Sequence, residues 1–162
     1  MSSYPVIIGR SELVDFSELL LTHVPAKADT GAYRSAVHAK NIKVIKKNGK
    51  DALSFELLEG HPTTVYARTV VATEFTTAVV ENSFGASEER YAVVLKIKLG
   101  TKIFKTEFTL TDRSVKTYPI LLGRKTLNKR FLVDSAKSHI DRKELKNKFN
   151  VDLVEDLEVI DP

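Results

Sequence analysis

The residues best suited to chemistry in this chain lie in two short strings about 90 positions apart. The first is KADTGAYRSAVHA, Lys27 to Ala39, in which Asp29-Thr30-Gly31-Ala32 follows a short extended segment. A carboxylate on a tight loop after a strand can be held by neighbouring backbone N–H groups. Gly31 permits the close approach, and the Thr30 hydroxyl is expected to brace the loop. Such an aspartate is a positioned acid; the ordinary alternative for the tripeptide is an Asx turn. The second string is YPILLGRKTL, Tyr118 to Leu127: an apolar strand, then Gly123, then a helix start. A strand of that kind is what must pass beside the loop and pack beneath its aspartate.

Other chemistries find no support. The chain has no Cys, which removes disulfides, thiolate catalysis and Cys-ligated zinc. It has no Gly-x-x-x-x-Gly-Lys, Gly-x-Gly-x-x-Gly, His-Glu-x-x-His or Gly-x-Ser-x-Gly string. His23, His38, His61 and His139 are scattered, with no pair at i and i+4, so neither a metal nor a cofactor is expected.

The elements that must hold these strings are mostly strands. With 162 residues, 43% hydrophobic and 28% charged, the chain has the size and composition of one globular domain. Val65 to Val71, Ala78 to Glu81, Tyr91 to Leu99 and Ile103 to Leu110 are rich in β-branched and aromatic residues. Asn48-Gly49, between Ile42 to Ile45 and Ala52 to Leu57, is the dipeptide of a type I′ hairpin, and Gly100-Thr101-Lys102 joins the two longest strands. Two short helices are expected, at Lys125 to Lys129 and at about Ser138 to Lys148 with Ser138 as N-cap. Ile7-Ile8-Gly9-Arg10 echoes Leu121-Leu122-Gly123-Arg124 but precedes the Asp loop and reads as a strand end. The division expected is a body over residues 1–140 and a C-terminal helix with an acidic tail over 141–162, the tail being an added edge strand or a loose end. The body carries 21 Lys or Arg against 14 Asp or Glu, and residues 141–162 carry four against seven. A basic body suits a solvated surface or an acidic partner.

Taken in order, KADTGAYRSAVHA, a Gly-containing loop before Arg90-Tyr91, FTLTDRS at Phe108 to Ser114, YPILLGRKTL, and RFLVDSAKSHI at Arg130 to Ile140 resemble the retropepsin-like aspartic proteases. Within them the strings are similar to the branch associated with RimK-type glutamate ligases, the RimB-like proteins. The resemblance implies an all-β, closed retropepsin-like barrel with one or two short helices. It makes Asp29 the catalytic residue, with Thr30 and Gly31 as the loop that holds it and Ala32, Leu122, Gly123 and Arg124 as its support. That branch also bears the label of an ATP-dependent zinc protease, for which this sequence offers neither an ATP loop nor a zinc motif.

Aspartic proteases use two carboxylates sharing one proton. Only one Asp-Thr-Gly is present, and nothing after Asp134-Ser135-Ala136 resembles a second apolar-apolar-Gly strand, so a homodimer is implied. Many retropepsins continue Asp-Thr-Gly-Ala with an acid that pairs with the later Arg; Tyr33 and Arg34 stand here, and Arg124 needs another partner. The flap is expected at Asn82 to Ser87, around Gly85, with Asn48-Gly49 as the competing hairpin. Arg34, Arg90, Asp112 and Arg113 are the candidates for substrate contact, and guanidinium forks suit an acidic or glutamylated peptide. A functional link to a RimK-type ATP-grasp ligase follows from the family alone. A non-catalytic dimeric binding module is the alternative. A nucleic-acid partner rests on the basic body only and is disfavoured. With no leader-like or membrane-length apolar run, a cytoplasmic location is expected.

Overall fold

The alternating β-branched and aromatic stretches fold as strands, and the continuous apolar ones fold as strands buried on both faces. The computed structural model describes residues 4–82 and 84–150. Among these residues lie β1 (Val6–Gly9), β2 (Ser11–Phe16), β3 (Leu21–Ala28), β4 (Ser35–Lys47), β5 (Lys50–Leu57), β6 (Arg68–Ala72), β7 (Thr76–Glu81) and β8 (Ser87–Leu99). They are followed by β9 (Lys102–Thr111), β10 (Ile120–Leu122), α1 (Arg124–Leu127), β11 (Phe131–Asp134) and α2 (Arg142–Phe149). The protein is all-β with two short helices and a 3-10 turn at Ser17–Leu19.

The main sheet runs β10-β3-β2-β8-β9-β4-β5-β6, and β10 also pairs with β4, so six strands close a ring of hydrogen bonds. β10 is the closing piece. It lies parallel to β3, with Leu122 opposite Ala28, and antiparallel to β4, with Ile120 opposite Val37. All three of its side chains are buried, which is why its sequence shows no alternation. Phe16, Phe108, Ile97, Leu99, Ile120 and Leu122 of the ring strands share one core with Phe55 of β5. Each such side chain contributes roughly 1.5–3 kcal/mol by leaving water.

Two strands extend past the ring. β4 pairs with β9 over Ser35–His38 and then, from Ala39 onward and through an irregularity between Lys40 and Lys43, with β5. β8 pairs with β9 from Ala92 to Leu99, while its first half, Ser87 to Ala92, pairs with β7 instead. The β7–β8 hairpin therefore stands as an arm off the ring.

The echo noted in the sequence is structural. β1 runs parallel to β11, with Ile8 opposite Val133, as β10 runs parallel to β3, with Leu122 opposite Ala28. Arg10 N donates to Lys137 O, three residues after Asp134; Arg124 N donates to Ala32 O, three residues after Asp29. Ala136 N donates to Asp134 Oδ1 just as Gly31 N donates to Asp29 Oδ1. A strand-loop unit crossed by an apolar-apolar-Gly-Arg strand thus occurs twice. The second crossing strand, expected downstream of Asp134, is instead Ile7-Ile8-Gly9 from the start of the chain.

Three local expectations are corrected. Val65 and Tyr66 are exposed and outside β6, because the preceding segment is tied into turns by His61 N to Leu58 O and Thr64 N to His61 O. α2 begins at Arg142 with Asp141 as N-cap, its side chain accepting from Glu144 N, while Ser138 Oγ is bonded to Ser11 Oγ at 2.5 Å. Helix α1 starts at Arg124 and stops at Leu127. Leu145 of α2 packs on Tyr118 and Ile140 in a small second core. The expected tail conformations concern residues 151–162, outside the described residues.

Candidate active site

Asp29 stands at the end of β3, where β10 crosses beneath it. Its backbone N donates to Leu122 O at 2.8 Å, and Gly31 N donates to its Oδ1 at 3.0 Å. The half-buried carboxylate is thus oriented by its own loop, as an Asx turn would do, and the loop is fixed to the strand below. Bracing does not come from Thr30, whose hydroxyl makes no hydrogen bond among the described residues. It comes from Arg124, whose Nη1 donates to Thr30 O at 3.1 Å and Gly31 O at 3.0 Å. These carbonyls are the partner that the missing acid left open, and the Arg124 guanidinium also lies 5.7 Å from the Tyr33 ring centre.

Gly123 is required by proximity. A Cβ there would sit 2.5 Å from Arg34 O and 2.9 Å from Tyr33 C, so the crossing strand could not approach the loop. Below, a chain of hydroxyls holds the two strings together. Gly123 N donates to Ser35 Oγ, which is 2.5 Å from Thr126 Oγ1, itself 2.8 Å from Thr106 Oγ1. Thr109 Oγ1 donates to Ser35 O. Ser35, Thr106, Thr109 and Thr126 are all buried and were not legible as site residues, because their only signal is long-range pairing.

Over the loop opens a groove of about 710 Å³, lined on one side by Asp29, Gly31, Ala32 and Arg124 and on the other by Val79 to Asn82 of the β7–β8 arm. Leu121 forms part of its floor. Arg34, Arg90, Arg113 and Lys116 line it as well, so cations outnumber the acids Asp29 and Glu81. Arg34 is held by Glu107, which also takes Lys125 Nζ at 3.1 Å, and Arg90 Nε is 3.0 Å from Glu88. Glu107 was not anticipated; it simply occupies one position of an alternating strand.

The remaining candidates fall elsewhere or carry structure. Arg113 is buried, with Nε donating to Tyr118 O. Asp112 is not among the residues lining the groove; its Oδ1 accepts from Ser114 N, which together with the Ser114 hydroxyl holds its carboxyl below the usual range. Gly85 sits at the tip of the arm with φ +79, where Asn82 Oδ1 accepts from Phe84 N and Ala86 N. Of the arm, Val79 to Asn82 border the groove, whereas Gly85, the Asn48–Gly49 hairpin and Asp134 are not among the lining residues.

Sequence reasoning also missed a buried pair beside the groove. The rings of His38 and His61 meet edge-to-face with centres 5.2 Å apart. His38 Nδ1 accepts from Arg113 N and His61 Nδ1 from Thr63 N, so each ring is neutral with its proton on Nε2, donated to Glu59 O and Lys116 O respectively. Burial pushes both below the ordinary histidine value, His61 to about 4. Among the described residues no three His, Asp or Glu side chains converge as a metal would require. No described helix is long and apolar enough to cross a membrane.

A model described as RimB-like, retropepsin-like aspartic endopeptidase RimB, matches residues 7–144. The chain belongs to the RimB-like family. Curated relatives carry another name. A probable alpha-L-glutamate ligase of Desulfotalea psychrophila is 35% identical over 133 residues, 80% of this chain and 28% of that protein. One of Shewanella pealeana is 35% identical over 141 residues, 85% of this chain and 30% of that protein. The RimB-like chain therefore spans under a third of the length of these relatives. A crystal structure of a Legionella pneumophila protein of unknown function, DUF785, superposes with TM-score 0.64 and 33% identity, covering 82% of this chain and 95% of that one.

Proposed function

We infer that the chain is the protomer of a homodimeric aspartic-type peptidase that hydrolyses an acidic or glutamylated protein segment, in functional partnership with a RimK-type glutamate ligase. The observation that carries this is the Asp29 carboxylate, oriented by Gly31 N at 3.0 Å on the floor of a groove rich in guanidinium groups and bordered by a hairpin arm. Belonging to the RimB-like family supports the peptidase class, and the relatives named as glutamate ligases support the acidic substrate.

In this reading two copies meet about a two-fold axis through their Asp29 loops, and the two carboxylates share one proton. The ionised carboxylate takes a proton from water as its oxygen attacks the peptide carbon, while the protonated one gives its proton to the carbonyl oxygen. Collapse breaks the C–N bond, and the amide nitrogen leaves with a proton. Thr30, exposed at the loop tip with its hydroxyl unspent within the described residues, is where a second loop would make contact. Arg34, Arg90 and Arg124 face the substrate's carboxylates across the groove.

A second reading is favoured by one fact: in its relatives, a segment like this chain is part of proteins named as ligases. There, a dimeric module holding an acidic segment without cutting it would serve equally well. Asp29→Asn separates the two. The peptidase reading expects sedimentation at about twice 18.1 kDa for wild type and variant alike, with hydrolysis of a glutamate-tailed peptide lost in the variant. A wild-type dimer that binds the peptide and leaves it intact would select the module.

A further inference from the structure

Among the described residues five cations line the Asp29 groove, and four of them are committed before any substrate arrives. Arg34 is paired with Glu107 and Arg90 with Glu88, so a substrate carboxylate meets both guanidiniums part-neutralised. Arg124 Nη1 is spent on the Thr30 and Gly31 carbonyls, and Arg113 is buried with its Nε on Tyr118 O. Lys116 differs. It is half-buried, and its Nζ makes no hydrogen bond or ion pair among the described residues. An ammonium without a counter-charge on a groove wall is the group that gains most from an arriving carboxylate.

The main chain that carries Lys116 is pinned from behind. His61 Nε2 donates to Lys116 O at 3.0 Å, and Lys116 N donates to Arg113 O at 2.9 Å. Arg113 N in turn donates to His38 Nδ1 at 2.8 Å, so the turn over 113–116 is tied at each end to one histidine. Both anchors are fixed: the rings are fully buried with centres 5.2 Å apart, and His61 Nδ1 accepts from Thr63 N at 3.1 Å. Just past the turn, His38 N donates to Pro119 O at 2.8 Å, where the chain enters β10 and passes beneath Asp29. The same buried pair therefore sets Lys116 and the crossing strand relative to each other. Burying two imidazoles costs solvation that an apolar pair would not, and what the histidines add is the fixed position of this turn.

We propose that Lys116 is the cation that selects for a carboxylate in the substrate, and that His61 is the positioning residue that fixes where its ammonium stands. This rests on the reading of the groove as the binder of an acidic segment, and deepens it by naming the contact. Lysine suits the task. A point charge with three donors on a flexible stem takes a side-chain carboxylate from several directions, while the anchored main chain limits which residue of the peptide it reaches.

The test uses the full chain carrying Asp29→Asn, so that no probe is consumed, with fluorescein-labelled hexaglutamate read by anisotropy at pH 8 and fixed ionic strength. Lys116→Met should weaken binding by about tenfold or more, and Lys47→Met on the β4–β5 hairpin, the same change in net charge, by less than about twofold. Two replacements of His61 then separate position from packing. His61→Gln keeps a donor near the Nε2 position for Lys116 O, whereas His61→Asn keeps an acceptor near Nδ1 for Thr63 N and gives up the bond to Lys116. His61→Gln should bind within about twofold of the parent. His61→Asn should lose about fivefold while Lys116 is present, and nothing further once Lys116→Met is in place. Thermal melts of all variants exclude unfolding as the cause. Equal losses for Lys116→Met and Lys47→Met would overturn the role of Lys116. A His61→Asn loss that persists without Lys116, or His61→Gln binding as weakly as Lys116→Met, would overturn the role of His61. Hexaglutamate that fails to bind even the parent would overturn the acidic groove and this proposal together, whereas binding that ignores Lys116→Met overturns the proposal alone. Hydrolysis is read separately, with Asp29 intact: a chain that binds through Lys116 and never cuts sinks the peptidase and leaves the selectivity.

Discussion

His61→Gln should flatten the acid sensitivity of this fold. His61 is only 2% exposed, and its ordinary value of 6.5 falls to about 4 because burial disfavours the imidazolium and the His38 ring stands against it. Between those two values the unfolded chain binds a proton at this position that the folded chain does not. Stability contributed by neutral burial is therefore whole above pH 6.5, declines as pH falls, and is gone near pH 4. A displacement of that size corresponds to about 3 kcal/mol, with a slope approaching about 1.4 kcal/mol per pH unit. His38, also lowered, adds in the same direction. Gln keeps a donor for Lys116 O and removes the titration, at a cost of about 1–2 kcal/mol at pH 8 from the lost Thr63 contacts. Guanidinium denaturation at pH 8, 7, 6, 5 and 4.5, at one protein concentration, gives both curves. The wild-type curve should drop steeply over this range and the variant curve by distinctly less. Parallel curves would mean that His61 is protonated in the folded state, and the burial argument would fail.

Gly123→Ala should cost at least about 3 kcal/mol, because its Cβ meets backbone atoms of Arg34 at 2.5 and 2.6 Å that cannot move without breaking the β10–β4 pairing; a thermal melt reads this directly. Arg124→Ala should cost only about 1–2 kcal/mol of stability, yet it frees the Thr30 and Gly31 carbonyls, so exchange of the loop amides should rise and any Asp29-dependent hydrolysis should fall much further than stability. Unchanged exchange at Gly31 and Ala32 would mean that Arg124 does not brace the loop. Asp141→Ala should weaken α2 by about 1 kcal/mol through loss of its cap, seen as faster exchange across residues 142–149 with the strands unaffected.

Where the fold was legible, one residue type or dipeptide settled the matter locally. Asn48-Gly49 takes φ of +53 and +78, as a type I′ turn needs, and the alternation along Tyr91 to Leu99 fixes which face of β8 is buried. The closure of the ring was not legible. β10 is three apolar residues whose partners lie more than 80 positions away, and an apolar triplet does not name its neighbours. The N-cap error has the same character: Ser138 and Asp141 are equally good caps by type, and only the tertiary bond from Ser11 to Ser138 decides between them. Arg124 was singled out with its partner unknown, since backbone carbonyls leave no trace in a sequence. His38 and His61, 23 positions apart and on different elements, could not be seen as a pair.

The repeated strand-loop unit separates what the fold supplies from what the groove adds. Both units place an aspartate after a strand, turn a backbone N–H onto its Oδ1, and pass a Gly-Arg strand beside it. Local geometry is therefore not what distinguishes Asp29 from Asp134. The difference lies in what surrounds each loop. Around Asp29, Arg124 holds two loop carbonyls, buried hydroxyls bind the crossing strand to β4, and the β7–β8 arm borders the groove. Around Asp134, Arg10 holds one loop carbonyl among the described residues, Ser135 O, and Lys137 Nζ stands 4.0 Å from the carboxylate, where it competes with any other use of that charge. Nor does Asp134 border the groove under the arm. A positioned carboxylate does chemistry only where something holds a substrate against it, and of two geometrically matched aspartates only Asp29 lines a groove that the arm borders, which is why the proposed peptidase chemistry is assigned to it.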